Sequence, residues 1–526
     1  MIFINNLKIG LDEPEVLLRE KIKQKLRIKY DDFHYKIFRK SIDARRKDRI
    51  QFVYSVIVDI ELSKKRLSKY NPGDVREYKE GKINFEINRK KTNPPVVVGF
   101  GPSGIFSALT LAKVGFNPIV IERGQDVDQR TKTVDEFWKN GILNTNSNVQ
   151  FGEGGAGAFS DGKLTCRSQD PMIREVLKVF IEHGAPEEIG ILQKPHIGTD
   201  ILKEVIKSIR KEIISLGGQI HFNTTMEDIV LEDGKVKKLI TNRGAIEADS
   251  VFLALGHSSR DSFRTFHNKG LSMESKPFAV GFRIEHPQQL INKAQYGENY
   301  DNKRLPQGEY QLTYRSTSGR GVYTFCMCPG GRVIAASSEE NRLCINGMSY
   351  HSRNLENANS AIIANINEKD YGQGVLAGMM YQEKIEERAF KLGGSNYHAP
   401  VQLIGDYIDN RVSTEFKRVF PSYKPGTVFR DLNEIYSKSI NDSIKEAIIN
   451  LNRKLEGFSL EDGILTGVET RTSSPIRILR DKKTYESCNF KGVYPLGEGA
   501  GYAGGIMSSS VDGIKGAIAF LEGYNE

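Results

Sequence analysis

Three glycines in fixed step carry the clearest chemistry in this chain. Gly99, Gly101 and Gly104 fall within Gly99-Phe100-Gly101-Pro102-Ser103-Gly104, a spacing that cradles a pyrophosphate. Gly99 permits a tight turn, Gly101 leaves the backbone open to a phosphate at a helix N-terminus, and Gly104 lets that helix close on a sheet. Pro102 and Ser103 belong to the same turn and join the candidate ligand-binding residues. Glu122, with Arg123 next to it, follows at about 20 residues, where a carboxylate accepts hydrogen bonds from ribose hydroxyls. A carboxylate at that place argues against a 2′-phosphate, which leaves NAD or FAD as the dinucleotide.

Other groups can do chemistry, each beside a plainer reading. Asp161 and Lys163 end the glycine-rich stretch from Phe151 to Leu164; they are polar groups facing a ligand, or a turn-capping Asp and a solvated Lys. Arg471, with Thr472, Ser473 and Ser474 before Pro475, gathers donors suited to an anion, or forms an ordinary polar loop. Tyr397 and His398, in a loop opened by Gly393-Gly394, offer a phenol and an imidazole as proton donors, a structural histidine being the alternative. Cys326-Met327-Cys328 on a strand would turn both thiols to one face, and small residues packed in a core strand are the plainer account. The candidate catalytic residues are therefore His398, Arg471 and Lys163.

These residues need elements to hold them. Pro95-Val96-Val97-Val98 reads as a strand, residues 105–116 as a helix and 117–124 as a second strand ending at Glu122, a βαβ unit around the glycine turn. Residues 201–218 form an amphipathic helix, followed by strands with a hairpin turn at Asp233-Gly234 and a strand into Gly256. The middle of the chain is mixed, with strands at 321–328 and 332–338 and helices at 357–367 and 441–455. The last segment, from Val493, is a strand, a glycine-rich turn and a terminal helix. Residues 1–90 read as strand, helix, strand, strand, a small α+β module closed by Lys90-Lys91-Thr92-Asn93-Pro94-Pro95.

At this level the sequence resembles the glutathione-reductase-like class of FAD proteins, in which two distant segments complete the cofactor site. Val251-Phe252-Leu253-Ala254-Leu255-Gly256 matches one, and Val493-Tyr494-Pro495-Leu496-Gly497-Glu498 the other, with Glu498 where the class has Asp. The resemblance implies FAD as cofactor. It implies a glycine-rich loop beside it (Gly154, Gly155, Ala156) and a helix from Gly505-Ile506 aimed at the flavin, and it adds Met226 to the cofactor-binding set. More narrowly, the chain is similar to a bacterial family of probable FAD-dependent dehydrogenases. That similarity covers nearly all of it, including Lys40 to Lys47, Thr324 to Gly331 and Glu469 to Pro475.

The implied architecture is α/β: a Rossmann-like FAD-binding domain split between 93–270 and 455–526, an inserted mixed α+β substrate domain at 271–454, and the N-terminal α+β domain at 1–92. The implied activity is hydride or electron transfer between flavin and an organic substrate or redox partner. A flavin monooxygenase, and an RNA- or protein-binding factor with structural or redox-sensing FAD, stand as alternatives. There is no second G-x-G-x-x-G with strand and helix around it and no CxxxxC pair, which argues against a dedicated NAD(P) domain and a disulfide reductase. Five cysteines without a CxxC pair argue against a disulfide framework or a structural metal. The formal net charge of +9 is concentrated: residues 1–90 hold 23 Lys and Arg against 14 Asp and Glu, and the rest is neutral. An anionic partner at that module, or simply a solvated basic face, follows. No apolar run reaches the roughly 20 residues that span a bilayer, and the N-terminus makes a poor signal peptide, so no membrane and a cytoplasmic setting are expected.

Overall fold

The computed structural model describes residues 1–79, 93–166 and 170–523; the boundary stretch Lys90 to Thr92 lies outside the described residues. The β-branched run Val96–Val98 is buried on both faces, as a central parallel strand requires. It sits in the middle of a five-stranded parallel sheet in the order 493–495, 251–253, 96–98, 119–121, 219–221. The two strands expected to complete the cofactor site thus run side by side next to the glycine turn. The helix after that turn, Pro102–Lys113, begins with Gly101 as N-cap and proline in the first turn. The terminal helix Ile506–Gly523 lies against it so closely that a Cβ on Gly513 would run into the Ser103 carbonyl, and Ser107 Oγ donates to the Gly513 carbonyl oxygen at 3.1 Å. An antiparallel sheet of 226–232, 235–241 and 244–247 adjoins, its hairpin turn made by Asp233 and Gly234 at positive φ.

A second, seven-stranded sheet runs in the order 313–315, 321–328, 357–366, 278–287, 464–469, 399–403, 427–429, antiparallel except for its last pair. Two expectations are corrected here. Residues 357–367 were expected as a helix, but Asn357–Ile366 is a strand between 321–328 and 278–287, where pairing on both edges overrides an Ala- and Asn-rich local preference. The return to the first domain was expected at 455, yet Ile464–Glu469 still pairs with strand 278–287 and with 399–403, so the inserted unit runs about fifteen residues further.

The N-terminal module is a four-stranded antiparallel sheet, ordered 35–43, 51–58, 2–10, 75–77, closed by helix Leu18–Leu26, whose Leu18, Ile22 and Leu26 are fully buried. Its core extends onto Tyr296 of the inserted unit. Among the described residues no helix is long and apolar enough to cross a membrane.

Candidate functional site

The glycine turn divides its labour. Gly99 is at φ +99, and a Cβ there would strike the Ala254 carbonyl; a Cβ on Gly104 would strike the Gly99 carbonyl. Both are required by the fold. Gly101 is different: a Cβ would meet nothing closer than Gly155 Cα at 3.6 Å, and Gly101 lines a cavity of about 1030 Å³. The space that a side chain there would fill is ligand space, and that is the first sign that the cradle fits a dinucleotide.

Glu122 is buried and more occupied than expected. Its Oε2 accepts from the Phe100 N–H at 2.8 Å, and Oε1 accepts from the N–H groups of Gly124 and Gly152, both at 2.9 Å. Three of about four acceptor positions tie the turn, the strand end and the glycine-rich loop together, which leaves one for a ribose hydroxyl. Arg123 pairs with Asp261 at 2.7 Å and lies over the Phe151 ring. Met226 and Arg123 line the same end of the cavity as Glu122.

The glycine-rich loop passes beside the turn. Gly154 donates to the Phe100 carbonyl at 2.8 Å and faces Ile206, so it supports the loop from outside the cavity. Gly104 likewise does not line the cavity, whereas Pro102, Ser103, Gly155 and Ala156 do. Gly256, after the strand Val251–Leu253, and Gly497, Glu498, Gly505 and Ile506 of the C-terminal segment complete the wall. Glu498 Oε1 pairs with His257 Nδ1 at 3.0 Å, and Oε2 accepts from the Gly505 N–H at 3.4 Å. Burial pushes the Glu498 carboxyl up, but His257 and its hydrogen bonds bring it below its ordinary value. The Gly497 N–H goes to Asp512 on the terminal helix at 2.7 Å, and Arg480 holds that carboxylate.

Two buried polar atoms on this wall have no partner, Ser103 Oγ and His257 Nε2. Buried polar groups are normally satisfied, so these two are a second sign that the cradle is built around a polar ligand. His257 was missed by the sequence reading. Its only signal was its place immediately after the strand-ending Gly256.

The outer end of the cavity is lined by Tyr323, Phe325 and Cys326 of the large sheet and by Glu309 from the loop before it. Lys163 reaches it: its ammonium bonds Asp161 at 2.7 Å and the Met327 carbonyl oxygen. Burial works against the Lys163 charge, but Asp161 outweighs it and the group stays protonated above the usual lysine range. Asp161, itself buried, also takes Arg353 at 2.7 Å and the Ser349 hydroxyl, and burial is overcome by these cations to hold it well below the ordinary carboxylate range.

Arg471 also lines the cavity but is not a free donor. Its guanidinium makes two bonds to Glu386, at 2.9 and 2.8 Å, and donates to Ser258 and Ser338. It is an anchor inside the wall, shared with Arg260 on the same Glu386. His398 is a correction: it stands outside the cavity, half-buried, with its ring against Gly426 just before the strand Ala399–Leu403. The strand that follows it stands second from one edge of the sheet.

A family described as "FAD-dependent protein, C-terminal domain-like" matches residues 277–472, the span of the seven-stranded sheet, and a domain of unknown function matches residues 1–59. A Clostridium beijerinckii protein described as uncharacterized is 50% identical over 530 residues, covering 99% of each chain. Among solved structures, glycine oxidase from Bacillus cereus is 12% identical with a TM-score of 0.33, covering 83% of this chain and 98% of its own. L-Amino acid deaminase from Proteus myxofaciens, in complex with anthranilate, is 11% identical with a TM-score of 0.35, covering 85% of this chain and 93% of its own. With the glycine cradle, the unpartnered polar atoms and the FAD-dependent unit in one chain, the cofactor is FAD. The chain belongs to the same family as the Clostridium beijerinckii protein.

Proposed function

We propose that the protein is an FAD-dependent oxidoreductase that passes hydride or electrons between flavin and a small organic substrate carrying an anionic group. One observation carries this reading: a single cavity has the dinucleotide cradle at one end and side chains of the large sheet at the other. When bound, FAD supplies two-electron chemistry, and the protein's part is to position, exclude water and tune charge. Gly101 and Ser103 receive the pyrophosphate end, Glu122 and Met226 border the ribose end, and the terminal helix brings its positive N-terminus to the wall at Gly505 and Ile506.

At the outer end, Lys163, Lys194 and Arg353 face Asp161 and Glu309. Burial raises Glu309, but Lys163 and Lys194 more than compensate and keep it ionised, as Asp161 is. Three cations against two carboxylates leave one positive charge at this end, with Lys194 at its solvent-exposed rim, which favours a substrate anion. Lys163 holds its proton, so it orients such an anion by hydrogen bonding and does not act as a base.

The test is an anaerobic screen of purified yellow protein against organic acids, amines and alcohols, following loss of flavin absorbance. Bleaching should be confined to compounds with an anionic group and should weaken in Arg353→Gln. If dithionite bleaches the flavin and no organic compound does, the oxidoreductase reading fails.

A further inference from the structure

Cys326 and Cys328 stand at an irregularity in strand Gly321–Cys328. The pairing with strand 357–366 shifts between Phe325 and Cys328, and Cys326 takes a left-handed φ of +43. This β-bulge breaks the simple alternation of a strand. Cys326 comes to line the cavity while Cys328 lies buried behind it, its thiol donating to the Cys326 carbonyl oxygen at 3.3 Å.

The segment is clamped by two cations. Arg283, fully buried, donates Nη2 to the Cys326 carbonyl at 2.6 Å and to Cys328 Sγ at 3.2 Å, while Nη1 binds Glu469. Lys163 binds the Met327 carbonyl between them. The guanidinium on Cys328 Sγ and the ammonium on the carbonyl between the cysteines set two cations around the pair, and cations near sulfur favour loss of one of the pair's two thiol protons. The Cys328 hydrogen bond, with help from Arg283 and Lys163, draws the Cys326 thiol below its ordinary value against the effect of burial; burial pushes Cys328 up. Cys326, open to the cavity, is thus the sulfur that gives up its proton, and Cys328, buried and bonded through its S–H, is the one that keeps it. Core packing alone asks for neither the guanidinium on sulfur nor the opening of Cys326 to the cavity.

We propose that Cys326 and Cys328 are a redox-active dithiol that closes to a disulfide by passing two electrons to FAD bound in the same cavity. This rests on the FAD assignment and goes beyond it by naming an electron carrier inside the chain. The step balances without another reactant. One S–S bond forms, the Cys328 S–H bond breaks, and its proton leaves with the two electrons; oxidised flavin becomes the singly protonated reduced anion, and the negative charge of the Cys326 thiolate is carried over to it. The reverse step lets reduced flavin reopen the disulfide.

The experiment uses the full holoprotein, anaerobically, with dithiothreitol in varied ratio to its oxidised form as the probe. Thiols are trapped by alkylation and mapped by mass spectrometry while flavin absorbance is followed. The peptide holding Cys326 and Cys328 should pass between a doubly alkylated form and a disulfide lighter by two hydrogens. Flavin bleaching should be roughly tenfold slower, or more, in Cys326→Ser and in Cys328→Ser. Retained yellow colour shows that those variants fold, and the mapping of wild-type protein needs no variant. Yellow wild-type protein whose two thiols remain alkylatable at every ratio, or variants that bleach as fast as wild type, would overturn the dithiol. Colourless wild-type protein would overturn the FAD assignment and, with it, the electron acceptor named here.

Discussion

Gly101 and Gly104 belong to one motif but answer to different masters, and two substitutions separate them. Gly101→Val puts a branched side chain into the cavity and meets little protein. The chain should fold with nearly unchanged Tm and lose FAD affinity by about a hundredfold or more, on the order of 3 kcal/mol. Gly104→Ala drives a Cβ into the Gly99 carbonyl, and overpacking of that kind costs about 1–3 kcal/mol. It should lower Tm before it touches FAD binding. Flavin fluorescence on titration and thermal melts of the apoprotein report the two effects; equal Tm losses in both variants would refute the division. The motif was legible in the sequence because glycine's meaning is local: a turn and a close approach need no knowledge of distant residues. Arg471 was legible as a donor but not as an anchor, since its partner Glu386 lies on a helix 85 residues away. His398 could not be placed for the same reason, because a loop's chemistry does not reveal which edge of a sheet it meets.

The central strand Phe278–Pro287 concentrates buried charge, with Arg283, Glu285 and His286 all fully enclosed. Burial drives the His286 imidazole down to about 4 from 6.5, opposed only by its bond to the Phe458 carbonyl at 2.8 Å. The native protein thus keeps His286 neutral while the unfolded chain takes up a proton below about pH 6.5. Stability from this group is intact above that pH and is lost as pH falls toward 4, by about 1.4 kcal/mol per pH unit. Glu285 works the other way, since burial raises its pKa and favours the native state in acid. The comparison must therefore be wild type against His286→Gln, whose amide can still donate to Phe458. Urea unfolding from pH 7 to 4.5 should show the variant losing less stability than wild type, with the gap opening below pH 6.5; parallel curves would refute it. The sequence betrayed this strand only as a mixed segment. A strand buried on both faces lacks the period-two signal, and its neighbour Asn357–Ile366 looked helical because its alanines carry no strand preference of their own.

Across the whole molecule, one five-stranded parallel sheet carries one glycine turn, and among the described residues no second sheet of that kind exists to hold a nicotinamide dinucleotide. Free NADH and NADPH should therefore reduce the flavin slowly and without saturation in anaerobic stopped flow; saturable reduction at roughly micromolar constants and tens per second would contradict this. The division of charge, +9 in residues 1–90 and neutrality beyond, was plain from the sequence, but what that module touches was not. It is stitched to the rest by backbone bonds, Lys40 N–H to the Ile191 carbonyl and Gln193 N–H to the Lys40 carbonyl at 2.8 Å, and by the Arg304 guanidinium, which donates to the carbonyls of Leu11 and Glu13. Gln193 and Lys194 line the outer end of the cavity, whereas every residue of the cradle comes after Val96. Deleting residues 1–92 should thus leave FAD affinity within about threefold, because the cradle and the module share no partners. Substrate-driven flavin reduction should fall by about tenfold or more, as the Gln193-Lys194 segment loses its support and the charge it presents shifts from place. The Kd for FAD and the anaerobic reduction rate, measured on the same truncated preparation, decide the matter. Loss of FAD would make the module part of the cofactor domain's own core, and unchanged reduction would free it from the site altogether, leaving its basic face for an anionic partner.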